Sequence, residues 1–268
     1  MPTPLLLDHR DGVAMLTLNR PDRANVLDAE MSLALIAAID TVAQDKSVRA
    51  VLLQAKGRQF CGGGDIRDFA NTLDQLGDLM ERGIPPLHRA IHRLATLPLP
   101  VISALNGPIG GGGIGLALCA DIVLAAESMK LRGGYSAIGL SPDVGASWFL
   151  SRRVGTSRCK EIFFTNEALS ARECLALGIV SKVYPDAELG EQAFALAASL
   201  ARGAAGALAR IKLLAEGANT RSLAEQLALE QRFMVESGRS ADAAEGVNAF
   251  MQKRAPRFTD PVQPPEAD

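Results

Sequence analysis

Two clusters of glycine are the feature of this sequence that points most clearly to chemistry. The first is Gly62–Gly64 and the second is Gly110–Gly113, and each follows a predicted strand at the start of a predicted helix. Such a junction exposes backbone N–H groups that have no partner within the helix. Two such loops that converge would stabilise negative charge on a carbonyl oxygen. The alternative is that these glycines only permit tight packing between a strand and the next helix.

The second cluster also matches the dinucleotide-binding pattern G-x-G-x-x-G through Gly110, Gly112 and Gly115. That pattern requires an acidic residue about 20 positions further on to bind a ribose. The corresponding stretch, Met129–Gly134, contains none, and the pattern lies in mid-chain rather than in a first β-α-β unit. The sequence therefore disfavours a nicotinamide oxidoreductase.

The elements that position these loops are predicted from hydrophobic periodicity and turn residues. Leu5–Asp8 and Val13–Leu18 form a predicted hairpin around Asp11-Gly12. Asp28 is the predicted N-cap of a helix that runs to about Ala43. Further strands are predicted over Arg49–Gln54, Val101–Leu105, Asp121–Ala125 and Ile179–Tyr184.

The rest of the chain is predicted to be mostly helical. A helix predicted from about Ile66 to Ala95 is interrupted around Gly83 and Pro85-Pro86, and a further helix follows the second glycine cluster to about Ala120. From Ala187 onward four helices are predicted, with separators at Gly203, Gly217 and Gly238.

The composition excludes several classes of function. With 28 Lys and Arg against 30 Asp and Glu, the net charge of −2 argues against a nucleic-acid-binding protein. The four cysteines have no metal-ligand spacing, so we expect a reduced, cytoplasmic protein without a cysteine-ligated metal. No apolar run reaches about 18 residues and no secretory signal is visible, so no membrane association is expected.

Several motifs occur in an order and spacing that resemble the crotonase superfamily, which contains the enoyl-CoA hydratases and isomerases. The match covers nearly the whole chain. Its motifs are Asn19-Arg20-Pro21 with Asn25, Phe60–Asp65 (FCGGGD), Pro100–Asp121 (PVISALNGPIGGGGIGLALCAD), Gly139–Asp143 (GLSPD), Leu177–Val180 (LGIV) and Lys253–Phe258 (KRAPRF).

The resemblance implies an α/β fold built as a spiral of ββα units, over residues 1–202. It also implies a helical trimerisation region over residues 203–259, and we expect a disordered tail over residues 260–268. The expected assembly is a homotrimer or a dimer of trimers. The expected substrate is an acyl-CoA thioester, so coenzyme A arrives with the substrate and no separate cofactor or metal is expected.

The resemblance also assigns roles to residues of the two loops. The N–H groups of Gly64 and Gly112 correspond to an oxyanion hole for the thioester enolate. The residues that correspond to CoA contacts are Arg23, Ala24, Gly62, Asp65 and Ile66. Arg23 is suited to pairing with a phosphate of CoA, although an exposed surface charge is the simpler interpretation.

The carboxylates distinguish between the reactions of this family. Hydratases use two glutamates, whose positions hold Gly115 and Tyr135 here. Asp143 matches the aspartate of the single-aspartate isomerases, and one carboxylate is enough to move a proton between two carbons. The sequence therefore predicts an enoyl-CoA isomerase with Asp143 as its acid and base, although Asp143 could instead only cap the following helix.

Other acyl-CoA chemistry is also compatible with these residues. His88, Tyr135 and Asp143 match a histidine, an aromatic residue and a nucleophilic aspartate in the chlorobenzoyl-CoA dehalogenases, although those enzymes have tryptophan in place of Tyr135. His88 and His92 lack a third ligand for zinc at a typical spacing. Hydratase or lyase chemistry and an inactive acyl-CoA-binding protein are the remaining alternatives.

Overall fold

The computed structural model describes residues 3–262, and most of its strands belong to one largely parallel sheet. Their order across the sheet is β1-β2-β3-β4-β6-β9, and β1 pairs antiparallel with β2 as the predicted hairpin requires. Three short strands, β5, β7 and β8, form a second sheet. The strands are β1 (Leu5–Arg10), β2 (Val13–Leu18), β3 (Ala50–Ala55), β4 (Val101–Leu105), β5 (Ile109–Gly110), β6 (Ile122–Ala126), β7 (Lys130–Arg132), β8 (Leu169–Ser170) and β9 (Lys182–Tyr184).

Ten α-helices accompany these strands in the part of the chain that the structure describes. Asp28 caps the first of them, because its carboxylate accepts a hydrogen bond from the Met31 N–H at 2.9 Å. The helices are α1 (Ala29–Gln44), α2 (Ile66–Ala70), α3 (Leu76–Ala95), α4 (Gly112–Leu118), α5 (Ala146–Thr165), α6 (Ala171–Ala176), α7 (Leu189–Ala201), α8 (Ala205–Gly217), α9 (Leu223–Gly238) and α10 (Ala241–Met251).

The large sheet is covered on both faces, which explains its continuous apolar strands. In β3, Val51 and Leu53 belong to the larger hydrophobic core, whereas Ala50 and Leu52 belong to a second core with α7. This alternation follows from the two-residue period of a strand. The larger core lies on the same side as α1, α3 and α4, whose residues surround the two glycine loops.

The prediction of a helix break at Pro85-Pro86 is wrong. Helix α3 continues through both prolines, and the interruption lies before it, between Asn71 and Gln75. Pro85 and Pro86 lack the N–H groups that would bond to the carbonyls of residues 81 and 82. Both of those residues are exposed, so water can solvate their carbonyls.

The four C-terminal helices, α7–α10, confirm the prediction that helices alone follow Ala187. The predicted boundary between residues 202 and 203 lies in the turn between α7 and α8. Of the predicted tail, residues 260–262 form no helix or strand, although Asp260 is hydrogen-bonded to Asp242. Residues 263–268, where the rest of that disordered tail is predicted, lie outside the described residues.

No single helix within residues 3–262 is long and apolar enough to cross a membrane. Helices α7 and α8 pass the same test only as a pair, bent by 106° at their junction. All four cysteines are free and buried.

Candidate active site

The two glycine loops lie against each other. The Gly110 N–H donates a hydrogen bond to the Cys61 carbonyl at 3.1 Å, and Cys61 pairs with Ile109 in a short parallel bridge. A Cβ atom on Gly63, which has φ +90°, would lie 2.8 Å from the Gly110 carbonyl oxygen. Glycine is therefore required at residue 63 by both its backbone conformation and the approach of the second loop.

Two backbone donors in these loops are available to a ligand. Among residues 3–262, neither the Gly64 N–H nor the Gly112 N–H donates a hydrogen bond to another backbone or side-chain group. Both glycines line the same cavity, and the ring of Phe69 from α2 packs against Gly64. A carbonyl oxygen bound in this part of the cavity would give these donors an acceptor.

Asp143 lies next to the second loop and is held by Tyr135. The Tyr135 hydroxyl donates to Asp143 Oδ1 at 2.7 Å. The same Oδ1 lies 3.3 Å from the position that a Cβ on Gly112 would occupy, so the carboxylate is adjacent to one of the two free N–H groups. Asp143 does not cap α5, since Gly145 is the N-cap and no side chain bonds there.

Tyr135 is a permanent hydrogen-bond donor in this arrangement. Burial, followed by the negative charge of Asp143, raises the pKa of the Tyr135 phenol far above its ordinary value. The ring is buried and makes an edge-on contact with Phe163, with 5.9 Å between the ring centroids. The phenol is therefore protonated and fixed, and its hydrogen bond occupies one oxygen of Asp143.

His88 also reaches this loop, although it contacts the backbone rather than the carboxylate. Its Nε2 accepts a hydrogen bond from the Val144 N–H at 2.9 Å. His88 lies on α3 and lines the cavity together with Asp143 and Tyr135. His88 from α3 and Tyr135 from the segment after β7 thus both form hydrogen bonds with Asp143-Val144.

Gly115 has no room for a side chain. A Cβ at this position would lie 2.1 Å from the Val144 carbonyl oxygen, because the loop after Asp143 packs directly on α4. The motif resemblance predicts Tyr135 as the other position at which a hydratase carries a glutamate. Neither of these two positions therefore holds a carboxylate, and Asp143 is the carboxylate beside the second glycine loop.

The predicted CoA-contacting residues form a second cluster beside the first glycine loop. Arg23 pairs with Asp65 at 2.6 Å and with Asp28 at 3.4 Å. Burial raises the pKa of the Asp65 carboxyl, but hydrogen bonds from the Arg67 N–H and from Arg23 outweigh burial, and the net pKa lies below its ordinary value. The Ala24 carbonyl accepts from the Gly62 N–H at 2.9 Å.

The carboxylates of Asp28, Asp65 and Asp68 come close enough to resemble a metal site, since one oxygen from each lies within 4.8 Å of the others. Arg20 and Arg23 already neutralise Asp28 and Asp65. The Asp28 and Asp65 carboxylates also accept backbone hydrogen bonds at the starts of α1 and α2. This cluster is therefore an ion-pair network that shapes the loop entrance.

One cavity of about 910 Å³ collects most of the predicted residues. It is lined by Gly62, Gly64, Asp65, Ile66, His88, Gly112, Tyr135 and Asp143. Arg23 and Ala24 are not among its lining residues. Its size lies within the usual range for small-molecule sites.

Sequence reasoning missed the apolar wall of this cavity. The wall is formed by residues of α1, of α3 and of the segment before Asp143, namely Leu33, Ile36, Leu79, Ile84, Leu87, Ile138 and Leu140. Leu33 is 68% exposed, so it lies on a helix face that the core does not cover. An apolar residue on an uncovered helix face is the sequence pattern that could have indicated a binding surface. Only the fold shows that α1 and α3 line the same cavity.

Comparison with known proteins decides the family. The sequence profile of the family described as Enoyl-CoA hydratase/isomerase matches residues 8–261. The chain belongs to the enoyl-CoA hydratase/isomerase family. The family predicted from the motif resemblance is thus confirmed.

Individual family members carry different activities in their names. The chain is 40% identical to the 1,2-epoxyphenylacetyl-CoA isomerase of Escherichia coli strain K12, over 95% of this chain and 98% of that protein. It is 39% identical to a Rhodobacter capsulatus protein named "Probable enoyl-CoA hydratase", over 93% of this chain and 95% of that one.

A solved structure of an enoyl-CoA hydratase from Polaromonas sp. JS666 superposes with a TM-score of 0.90, at 32% identity. The superposition covers 95% of this chain and 99% of the Polaromonas chain. The mixed α/β fold with C-terminal helices is therefore the crotonase fold predicted from the motifs.

Proposed function

We propose that this protein shifts a double bond within an enoyl-CoA thioester, and that Asp143 moves the proton. The observation that carries this proposal is the position of Asp143, beside Gly112 and bonded to Tyr135 in the cavity. Within residues 3–262 no cation lies within ion-pair distance of Asp143, whereas Asp28 and Asp65 are paired with arginines. The isomerase named among the relatives supports the same reaction class.

In the proposed reaction the thioester carbonyl oxygen accepts hydrogen bonds from the N–H groups of Gly64 and Gly112. Asp143 takes a proton from the carbon next to the carbonyl, and the electrons of that C–H bond pass into a dienolate. The two N–H groups stabilise the negative oxygen. Asp143 then returns the proton to the far carbon of the conjugated system, so the double bond moves and the carboxylate is regenerated.

Hydration is a weaker proposal for this site. It requires one group to activate water and a second to protonate carbon, which a pair of carboxylates serves. Here Tyr135 is a protonated donor and Gly115 is packed against Val144. Proton transfer through a single carboxylate matches the groups that are present.

The proposed reaction transfers no electrons to a cofactor, so coenzyme A within the substrate is the one non-protein group that it involves. We propose that the CoA portion binds at the rim formed by Gly62, Asp65 and Ile66. Arg23 and Ala24 lie directly behind this rim through their bonds to Asp65 and Gly62. A phosphate that contacts Arg23 would compete with the Asp65 carboxylate.

Replacement of Asp143 by Asn tests the proposal, because it keeps the shape of the side chain and removes the base. Turnover of a 3-enoyl-CoA should fall by about 10²–10⁴-fold, the usual contribution of a positioned acid or base. Binding of the CoA ester, measured by calorimetry, should change little. Unchanged turnover in Asp143→Asn would overturn the proposal.

The matched control is Asp68→Asn, which removes an exposed carboxylate at the same cavity and should leave turnover near the wild-type value. Exchange of the α-protons of bound acyl-CoA in heavy water separates a catalyst from a protein that only binds. The wild-type protein should catalyse exchange and Asp143→Asn should not. An absence of exchange in both proteins would favour the inactive acyl-CoA-binding alternative.

We propose further that the chain assembles as a homotrimer or a dimer of trimers through its C-terminal helices. Large apolar residues on α9 and α10 are exposed in the single chain, namely Leu223, Leu227, Met234, Val235, Val247, Phe250 and Met251. Single chains rarely expose so much apolar surface without a partner. Light scattering coupled to size exclusion should give three or six times the chain mass of 28.3 kDa, and a monomer would refute this assembly.

A further inference from the structure

The contact between His88 and Val144 joins the ring of the histidine to the main chain directly after Asp143. A backbone N–H can only donate, so Nε2 of His88 is the acceptor of this hydrogen bond, at 2.9 Å. Because Nε2 already accepts this hydrogen bond, His88 cannot use the same nitrogen as a base without breaking its bond to the Val144 N–H.

Val144 occupies a backbone conformation that its own side chain disfavours. Its φ is +53° and the residue is buried, whereas β-branched residues rarely adopt positive φ. Such a conformation persists only where its surroundings impose it. The segment is therefore sensitive to every contact that holds it.

Contacts hold Val144 on three sides. His88 binds its N–H, Gly115 of α4 leaves room for its carbonyl, and its Cγ2 lies 3.0 Å from where a Cβ on Gly112 would be. The carbonyl and side-chain contacts are packing contacts. The bond from His88 is the directional one, and it joins the loop to the opposite wall of the cavity.

We propose that His88 is a positioning residue for Asp143, acting through the Val144 N–H. Tyr135 fixes the carboxylate of Asp143 at Oδ1, and His88 fixes the main chain one residue later. The two anchors together keep the carboxylate beside Gly112. This inference rests on the proposed function, because it takes Asp143 to be the group that moves the proton.

Replacement of His88 by Leu and by Gln tests whether His88 acts as a hydrogen-bond acceptor or only fills space. His88→Leu removes the acceptor and should lower kcat by about 10–100-fold, as expected when a donor is left without its partner next to a reacting group. KM should change little. His88→Gln places an amide oxygen near the position of Nε2 and should recover kcat to within a few-fold of wild type.

Two further variants complete the set. His92→Leu, one turn later on α3 and exposed, should match wild type. Adding His88→Leu to Asp143→Asn should cause little further loss, because a residue that acts through Asp143 has no effect once the carboxylate is gone. The proposal is overturned if His88→Gln is as impaired as His88→Leu, or if the two losses multiply in the double variant.

Crystal structures of His88→Leu and His88→Gln provide a readout that does not depend on activity. The hydrogen bond from the Tyr135 hydroxyl to Asp143 Oδ1 should be absent in His88→Leu and present in His88→Gln. If the contact survives in His88→Leu, the positioning role fails even when Asp143→Asn is inactive. If Asp143→Asn is fully active, the proposed function fails, while the crystal structures still decide whether His88 positions Asp143.

Discussion

Tyr135 determines how Asp143 presents its carboxylate. The hydroxyl donates to Oδ1, so Oδ2 is the oxygen left to carry the proton in the isomerisation that we propose. Tyr135, which the motif resemblance places where a hydratase carries a glutamate, donates a hydrogen bond to Asp143 and supplies no second carboxylate.

The raised pKa of Tyr135 predicts a specific dependence of stability on pH. The ordinary pKa of a tyrosine is 10.0, and the folded protein holds that of Tyr135 higher through burial and the charge of Asp143. Above pH 10.0 the unfolded chain therefore releases a proton that the folded chain retains. The stabilising contribution is complete below that pH and is lost as the pH rises through and beyond it.

Comparison of the wild-type protein with Tyr135→Phe measures this effect. While the protein is folded, the near-ultraviolet phenolate absorbance of the two should rise together around pH 10, because Tyr135 does not ionise there. The free energy of unfolding should decline more steeply with pH in the wild type. An additional phenolate at pH 10 in the folded wild-type protein would show that Tyr135 titrates normally.

At the scale of elements, α4 packs so closely against the loop after Asp143 that no space remains for a side chain at Gly115. A Cβ at Gly115 would lie 2.1 Å from the Val144 carbonyl oxygen and 3.1 Å from the Ala146 N atom. Both are backbone atoms, which cannot rotate out of the way. Any side chain at residue 115 must therefore displace Asp143-Val144 or α4.

Gly115→Ala should consequently destabilise the fold and reduce turnover. Overpacking of this kind costs about 1–3 kcal/mol of unfolding free energy. Turnover should fall as well, because the displaced segment carries Asp143. Thermal denaturation and an isomerase assay measure the two effects, and Gly115→Glu should not create hydratase activity, since the glutamate has no space.

The matched control is Gly190→Ala, another glycine within a helix, where a Cβ would meet no atom within 4 Å. Helix propensity alone should make this change neutral or slightly stabilising. Equal melting temperatures for Gly115→Ala and Gly190→Ala would mean that α4 and the loop move apart at little cost.

At the scale of the whole molecule, features with a local signal could be predicted and those that depend on distant contacts could not. An apolar run predicted the strand Val101–Leu105 with the bounds that the structure shows. Glycine separators predicted the last four helices. Both glycine loops and Asp143 were also found from sequence motifs. The bond between His88 and Val144 spans 56 residues, so no local pattern records it.

The partners of Arg23 were unpredictable for the same reason. Asp65 is 42 residues away and becomes its partner only because the first glycine loop folds back over the turn that carries Arg23. A guanidinium binds both phosphate and carboxylate through charge-assisted hydrogen bonds of similar geometry. Sequence could therefore identify a residue suited to binding an anion, but not which anion it binds.

Arg49 links three distant parts of the chain. Its guanidinium donates to the carbonyls of Ala201 at 2.7 Å, Gly203 at 2.9 Å and Asp260 at 2.9 Å. It thereby joins the start of β3 to the end of α7 and to the C-terminal segment. These carbonyls lie at the end of a helix or in irregular chain, where few other donors are available.

Arg49→Leu should lower the unfolding free energy by about 2 kcal/mol, because three carbonyls lose a charged donor while water reaches part of the site. Activity at room temperature should persist, since Arg49 contacts none of the cavity residues. Thermal denaturation of Arg49→Leu against Arg202→Leu measures the effect, because Arg202 lies exposed at the same turn. If both variants melt together, the C-terminal segment is held by its packing and by Asp242 rather than by Arg49.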